Sequence, residues 1–174
     1  MVTSGDELKS QRILREIQQQ QGRREIVDIE EEQVKVVIFV CGGRKYGFYG
    51  REVREILPPC EIAWVPGLPA YLPGLINVRG DVESIIDLGL VMGYETAAPA
   101  TSLIAMAVRG DFRSGVLINT VEEVVDIPVS AIKPLLATIN GSTGGLLAGE
   151  FEYGGELIAL IDMEKLAGQI SVGT

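Results

Sequence analysis

Apolar residues recur along this chain in short runs broken by glycine, proline and charged turns, a texture of β-structure and not of long helices. Residues 34–41 (VKVVIFVC) predict a strand, Gly42, Gly43 and Arg44 a turn, and residues 45–50 (KYGFYG) a returning strand. Residues 51–57 predict a short helical turn stopped by Pro58 and Pro59, and residues 61–65 a further short strand. The densest local instructions lie in residues 66–88, PGLPAYLPGLINVRGDVESIIDL. Pro66, Pro69 and Pro73 restrict the approach, Gly74 releases it, and residues 75–78 form a buried strand. Arg79 and Gly80 reverse the chain, Val82, Ile85 and Ile86 make the return, and Asp87 caps what Leu88 begins. Residues 91–101 read as a connector, after which residues 102–108 and 114–119 make another hairpin around a turn at 109–112.

Residues 1–33 have a different pattern. Ser4 and Glu7 make a capping box, and Leu8, Ile13, Leu14 and Ile17 give a thin apolar stripe, predicting a helix over about 5–21. The segment carries five basic residues (Lys9, Arg12, Arg15, Arg23, Arg24) and eight acidic ones, five of them within 25–32. It reads as a charged, solvated leader, partly helical or disordered.

The chain then repeats itself. YGFYGREVREIL set against SGVLINTVEEVV aligns Gly47 with Gly115, Val53 with Val121, Glu55 with Glu123 and Ile56 with Val124, at a constant spacing of 68 residues. PGLIN resembles GGLLA, pairing Gly74 with Gly145, and RGDVESIIDL resembles GGELIALIDM, pairing Gly80 with Gly155 and Asp87 with Asp162. Each copy predicts a hairpin, a helical turn, a connection and a second hairpin, about five strands that close as a small barrel. A barrel of about 65 residues is marginal alone, so the two are expected to share buried surface. The expected boundaries are a leader over 1–33, a body over 34–168 with halves at about 34–98 and 99–168, and a tail over 169–174.

Composition removes several function classes. The 174 residues hold 15 Lys and Arg against 24 Asp and Glu, a net charge of −9, which disfavours nucleic acid. There is no histidine, so His-based acid–base catalysis and Ser-His-Asp triads are excluded, and Cys41 and Cys60 alone make no usual zinc site. Both cysteines are expected to be buried or half-buried. No phosphate-loop motif occurs, and GSTGG at 141–145 lacks the lysine a phosphate cradle needs. No apolar run approaches the ~18 residues of a membrane span, and the N-terminus has no signal-peptide core, so a cytoplasmic protein is expected. Neither a metal nor another cofactor is implied.

The copies differ where the first hairpin carries Asn77, Val78 and Arg79. Read alone, Arg79 is an exposed turn residue, Val53, Val82 and Val121 are core, and Glu55 and Glu123 lie on a solvated helical face. INVRGDVESIIDL, however, resembles the defining motif of the CheW-like domain family: an apolar strand, N-L-R-G, an apolar strand, then D-L. The resemblance covers about residues 34–168, with Tyr46-Gly47, the V-x-E-I stretch at Val53 to Ile56, the proline-aromatic approach before Gly74, and I-D-x-E-K-L at 161–166.

The resemblance implies an all-β fold of two intertwined five-stranded SH3-like barrels sharing a core, without enzymatic activity. It implies an adaptor between the cytoplasmic tip of a chemoreceptor and the regulatory domain of a CheA-type histidine kinase, in chemotaxis or in a pilus-motility or developmental pathway. Matched by position, Arg79 within Asn77–Gly80 is expected to be critical for coupling. Val53, Glu55 and Gly74 are expected at kinase or receptor contacts, and Val82 and Val121 beside the groove between barrels. Ser84 stands where proline is usual in the family, and Asn119 where aspartate is. A freestanding ligand-binding barrel is the alternative of a different class, and it would need a hollow interior.

Overall fold

The computed structural model describes residues 10–19, 31–95, 100–135 and 144–172. The chain forms two compact units, residues 1–33 and 34–174. In the first, residues 10–19 form a helix, α1, all of whose residues are exposed, including Ile13, Leu14 and Ile17. The rest of the expected helix lies outside the described residues.

The second unit is built of strands: β1 (Gln33–Cys41), β2 (Arg44–Tyr49), β3 (Val53–Leu57), β4 (Gly74–Val78) and β5 (Asp81–Asp87) from the first half of the chain. The second half supplies β6 (Leu103–Arg109), β7 (Phe112–Ile118), β8 (Thr120–Pro128), β9 (Leu147–Tyr153) and β10 (Glu156–Ile161). Two short helices follow β5 and β10: α2 (Leu88–Val91) and α3 (Met163–Val172). Asp87 caps α2, its Oδ1 accepting from the Leu90 N–H at 3.2 Å. The expected helical turn over 51–57 is corrected. Only Gly50–Glu52 turns, as a single 3-10 segment, and Val53–Leu57 is β3, paired with β6. A seven-residue helix is too short to stand on its own hydrogen bonds, whereas Val53 and Ile56 are β-branched and β6 offers a free edge.

Each sheet draws on both halves of the chain. One has the order β8-β1-β2-β10-β9 and the other β3-β6-β7-β5-β4, so the leading hairpin of each copy is completed by the three trailing strands of the other. The seams are the two parallel pairings, β10 on β2 and β5 on β7, and their registers correspond: Leu160 opposes Gly47 as Ile85 opposes Gly115.

Register also revises the repeat. Gly74 opposes Ile85 while Gly149 opposes Leu160, and Leu75 bridges Ala63 as Glu150 bridges Lys133. Gly74 therefore corresponds to Gly149, and not to Gly145 as the local match suggested. The reason is steric: a Cβ on Gly74 would lie 2.1 Å from the Ala63 carbonyl oxygen, and one on Gly149 2.9 Å from that of Lys133.

Strand alternation sends side chains into three packed regions. Val36, Ile38, Ile158 and Leu160 fill the interior of one barrel with Phe151, and Ile85, Ile104, Met106 and Leu117 fill the other with Ile76. The residues between them in sequence (Phe39, Ile86, Ala105, Val116, Ile161) face a third core that both sheets share, closed by Leu88 of α2 and Leu166 of α3.

Gly47 and Gly115 face the barrel interiors, which explains their recurrence. A Cβ on Gly115 would sit 2.5 Å from Ile85 Cδ1 and 2.7 Å from Ile104 Cγ2, and one on Gly47 2.7 Å from Val36 Cγ1. Gly115→Ala is expected to cost about 1–3 kcal/mol through overpacking. Urea denaturation measures it, and an unchanged midpoint would mean that the interior has slack.

Candidate functional site

The β4–β5 hairpin turns in two residues, since Val78 opposes Asp81. Arg79 (φ 49°) and Gly80 (φ 91°) both adopt left-handed backbone, the geometry of a type I′ turn. Arg79 is the one non-glycine among the described residues with positive φ. Asn77 supports the turn, its Oδ1 accepting from the Gly80 N–H at 2.9 Å. An L-residue in this conformation is strained by roughly 1 kcal/mol, and the equivalent turn in the other barrel uses Gly154 and Gly155 (φ 59° and 78°).

Arg79 engages Glu55 with both prongs of its guanidinium: Nη1 donates to Oε2 at 3.1 Å and Nη2 to Oε1. Glu55 stands on β3 and Arg79 follows β4, the two ends of one sheet, so this forked pair ties the sheet's margins together. The pair is open to water, with Arg79 66% and Glu55 26% exposed at the side chain. Hydrogen bonding from Arg79 holds the Glu55 carboxyl below the usual carboxylate range, against the opposing effect of desolvation. A carboxyl lowered in the folded state contributes stability above its unfolded pKa and loses it as pH falls through the folded value. Glu55→Gln is therefore expected to flatten the loss of stability with acid at and below about pH 4.5. Denaturation midpoints from pH 7 to pH 3 check this, and an identical slope in both proteins would show that the pair does not form in solution.

The second copy builds its counterpart differently. Glu123, in the place of Glu55, takes a hydrogen bond from Tyr153, which keeps the phenol protonated beyond its ordinary range. One barrel thus grips its third-strand glutamate with a cation and the other with a neutral phenol.

Arg79, Asn77, Gly80, Glu55 and Val82 fall on one barrel end; Val82 opposes Asn77 in register and is 66% exposed, which corrects its expected place in the core. Gly74 is buried at the base of the same hairpin. Val53 and Val121 are half-buried and pack against the shared core, one from each sheet. The expectation that Glu55 and Glu123 lie on helices is corrected, since both are on strands. Cys41 is buried, its thiol pushed up to about 11 by desolvation and then by Asp87, whereas Cys60 is exposed, against expectation.

The sequence reading missed Arg113, whose Nη2 donates to the buried Glu83 at 2.5 Å beneath the hairpin tip. It also missed Arg109, which holds the buried Glu52 at 2.7 Å and Glu164 of α3 at 3.2 Å. Each pair is more than 30 residues apart except Arg113–Glu83, at 30, so strand pairing and not local pattern brings them together. Ser84 and Asn119, the departures from the family motif, both have partners: Ser84 Oγ lies 2.9 Å from Ser114 Oγ, and Asn119 Oδ1 accepts from the Gly42 N–H at 3.0 Å. Among the described residues no group of acidic, cysteine or histidine side chains is placed to hold a metal, and no helix is long and apolar enough to cross a membrane.

The family model for the CheW-like domain matches residues 35–171. The chain is 26% identical over 137 residues to the chemotaxis protein CheW of Helicobacter pylori, covering 78% of this chain and 82% of that one. It is 31% identical over 98 residues to protein FrzA of Myxococcus xanthus, covering 55% and 61%. Its fold is similar to the crystal structure of the scaffolding protein TtCheW from Thermoanaerobacter tengcongensis, with a TM-score of 0.68, 24% identity, and coverage of 76% of this chain and 86% of that one. Two five-stranded sheets that exchange strands around a shared core, and a match that runs almost from end to end of that unit, make this chain a member of the CheW-like domain family.

Proposed function

We propose that this protein is a non-catalytic adaptor that couples a chemoreceptor's cytoplasmic tip to the regulatory domain of a CheA-type histidine kinase. The observation that carries the reading is Arg79, held in left-handed backbone where the other barrel has glycine and locked in a forked pair with Glu55. Strain at an exposed turn is retained where the side chain serves contact and not folding. Arg79, Asn77, Gly80, Glu55 and the exposed Val82 form the kinase-facing end, with Gly74 fixing the base of the hairpin. Val53 and Val121 flank the place for the receptor hairpin, beside the shared core. Residues 34–168 constitute the working body, acting in the cytoplasm at receptor arrays.

The absence of histidine and of phosphate-loop motifs supports an adaptor over an enzyme. A ligand-holding barrel is not supported, because both barrel interiors are filled by their own side chains. The test is capture from the source cell's extract on the immobilised full chain. A CheA-type kinase and receptor fragments should be retained together, and recovery of neither would overturn the proposal.

A further inference from the structure

The two barrels differ along one row of side chains at their parallel seams. In the first, Ser114, Ser84 and Leu75 stand side by side on β7, β5 and β4, and the two serine hydroxyls close the row with a 2.9 Å hydrogen bond. At the corresponding positions of the second stand Tyr46, Ala159 and Glu150, on β2, β10 and β9. Neighbouring strands lie about 4.8 Å apart, so the tyrosine and the glutamate stand roughly 10 Å apart with only a methyl group between them. The gap opens into a cavity of about 480 Å³, within the range of small-ligand sites, whose lining also includes Val40, Gly43, Lys45 and the exposed Arg44.

The lining carries specific chemistry. Glu150 is 4% exposed, and its carboxylate makes no hydrogen bond or ion pair with any described residue, although its backbone is paired with Lys133. Glu156, at the rim, is already neutralised by Lys45 at 2.5 Å. The Tyr46 hydroxyl is bonded to that of Tyr94 across the opening, and Leu147 and Leu157 supply apolar wall. The carboxylate oxygens are open to the cavity, and a primary ammonium entering it would give them charge-assisted hydrogen bonds, about twice as strong as those from a neutral donor.

We propose that this cavity is a binding site for a primary ammonium group on an apolar stem of about four or five carbons, with the Glu150 carboxylate accepting its N–H bonds. The same chemistry is offered by a free alkylamine and by a lysine side chain of a partner. The leucines cover the stem, and the paired phenols bound the site on the side of the shared core.

The test is calorimetric titration of the full chain with 1-pentylamine and, separately, with Nα-acetyl-lysine methylamide, using pentanol and pentanoate as controls. At least one of the two cations should bind saturably below about 10 mM while neither control does. Binding of pentylamine alone identifies a free amine as the ligand, and tighter binding of the lysine derivative identifies a partner's side chain. Glu150→Gln should weaken binding at least tenfold. Ala159→Val, which leaves the carboxylate intact but narrows the gap between Tyr46 and Glu150, should weaken it at least fivefold and decides the matter if Glu150→Gln fails to fold. Saturation by neither cation, equal binding of pentanol, or undiminished binding by the folded variants would overturn the site.

Discussion

Expressed separately, residues 1–98 and 99–174 should each fail to fold. The first piece keeps the β1–β2 hairpin but loses β8 and β10, which flank it, and keeps β3, β4 and β5 without the β6–β7 hairpin that joins them. The second piece suffers the reciprocal loss. Of the twelve largest side chains less than 2% exposed, six lie in each piece: Ile38, Phe39, Phe48, Ile85, Ile86 and Leu88 in the first, and Ile104, Leu117, Ile118, Leu146, Phe151 and Ile158 in the second. At about 1.5–3 kcal/mol for each buried side chain, six represent roughly 9–18 kcal/mol of burial, as much as the whole net stability of about 5–15 kcal/mol for a domain. Circular dichroism of each piece should show no cooperative melt, and mixing the two should restore one. A sharp transition in either piece alone would mean that its barrel closes on itself, contrary to the exchanged topology.

The local elements were legible in the sequence because they rest on local chemistry. The β4–β5 hairpin follows from Asn77 to Gly80, the α2 cap from Asp87, and the β1–β2 and β6–β7 hairpins from β-branched runs around glycine or charged turns. The strand exchange was not legible in the repeat itself, and the intertwining was implied only by the family resemblance. Two copies, each closing on itself or trading its leading hairpin, present the same alternation, and only the parallel seams at Gly47 and Gly115 distinguish them. β3 was misread because Arg54 and Glu55 interrupt its apolar positions; it is an edge strand whose outward residues stay in water. The repeat drew Gly74 to Gly145 by local likeness, whereas the close approach of Ala63 and Lys133 assigns the equivalence to Gly149. Arg79 was singled out by a difference between the copies and by family resemblance. Its grip on Glu55 was not visible, because 24 residues and two proline-rich turns separate them.

That grip sets the last expectation: variants at Arg79 should fold and fail to couple. Removing an exposed ion pair changes stability little, and substitution by glycine also relieves the left-handed backbone, so Arg79→Gly should melt at or slightly above the wild-type temperature. Arg79→Ala and Arg79→Lys keep the backbone strain and should melt within a few degrees of wild type, as a change of about 1 kcal/mol shifts Tm by only about 2–4 °C at this size. Coupling is different. The guanidinium offers a planar fork that holds Glu55 with two of its five N–H donors and, on an exposed side chain, keeps others for a partner, whereas lysine, a single ammonium, cannot divide itself between the two tasks. In a reconstituted mixture of receptor, adaptor and kinase, all three variants should lose receptor control of kinase phosphorylation. Glu55→Gln should lose part of it, because the arginine is then present but no longer oriented. Wild-type control by Arg79→Gly would reduce the arginine to an ordinary surface residue. Full control by Arg79→Lys with loss in Arg79→Ala would show that charge, and not the forked geometry, is what the partner reads.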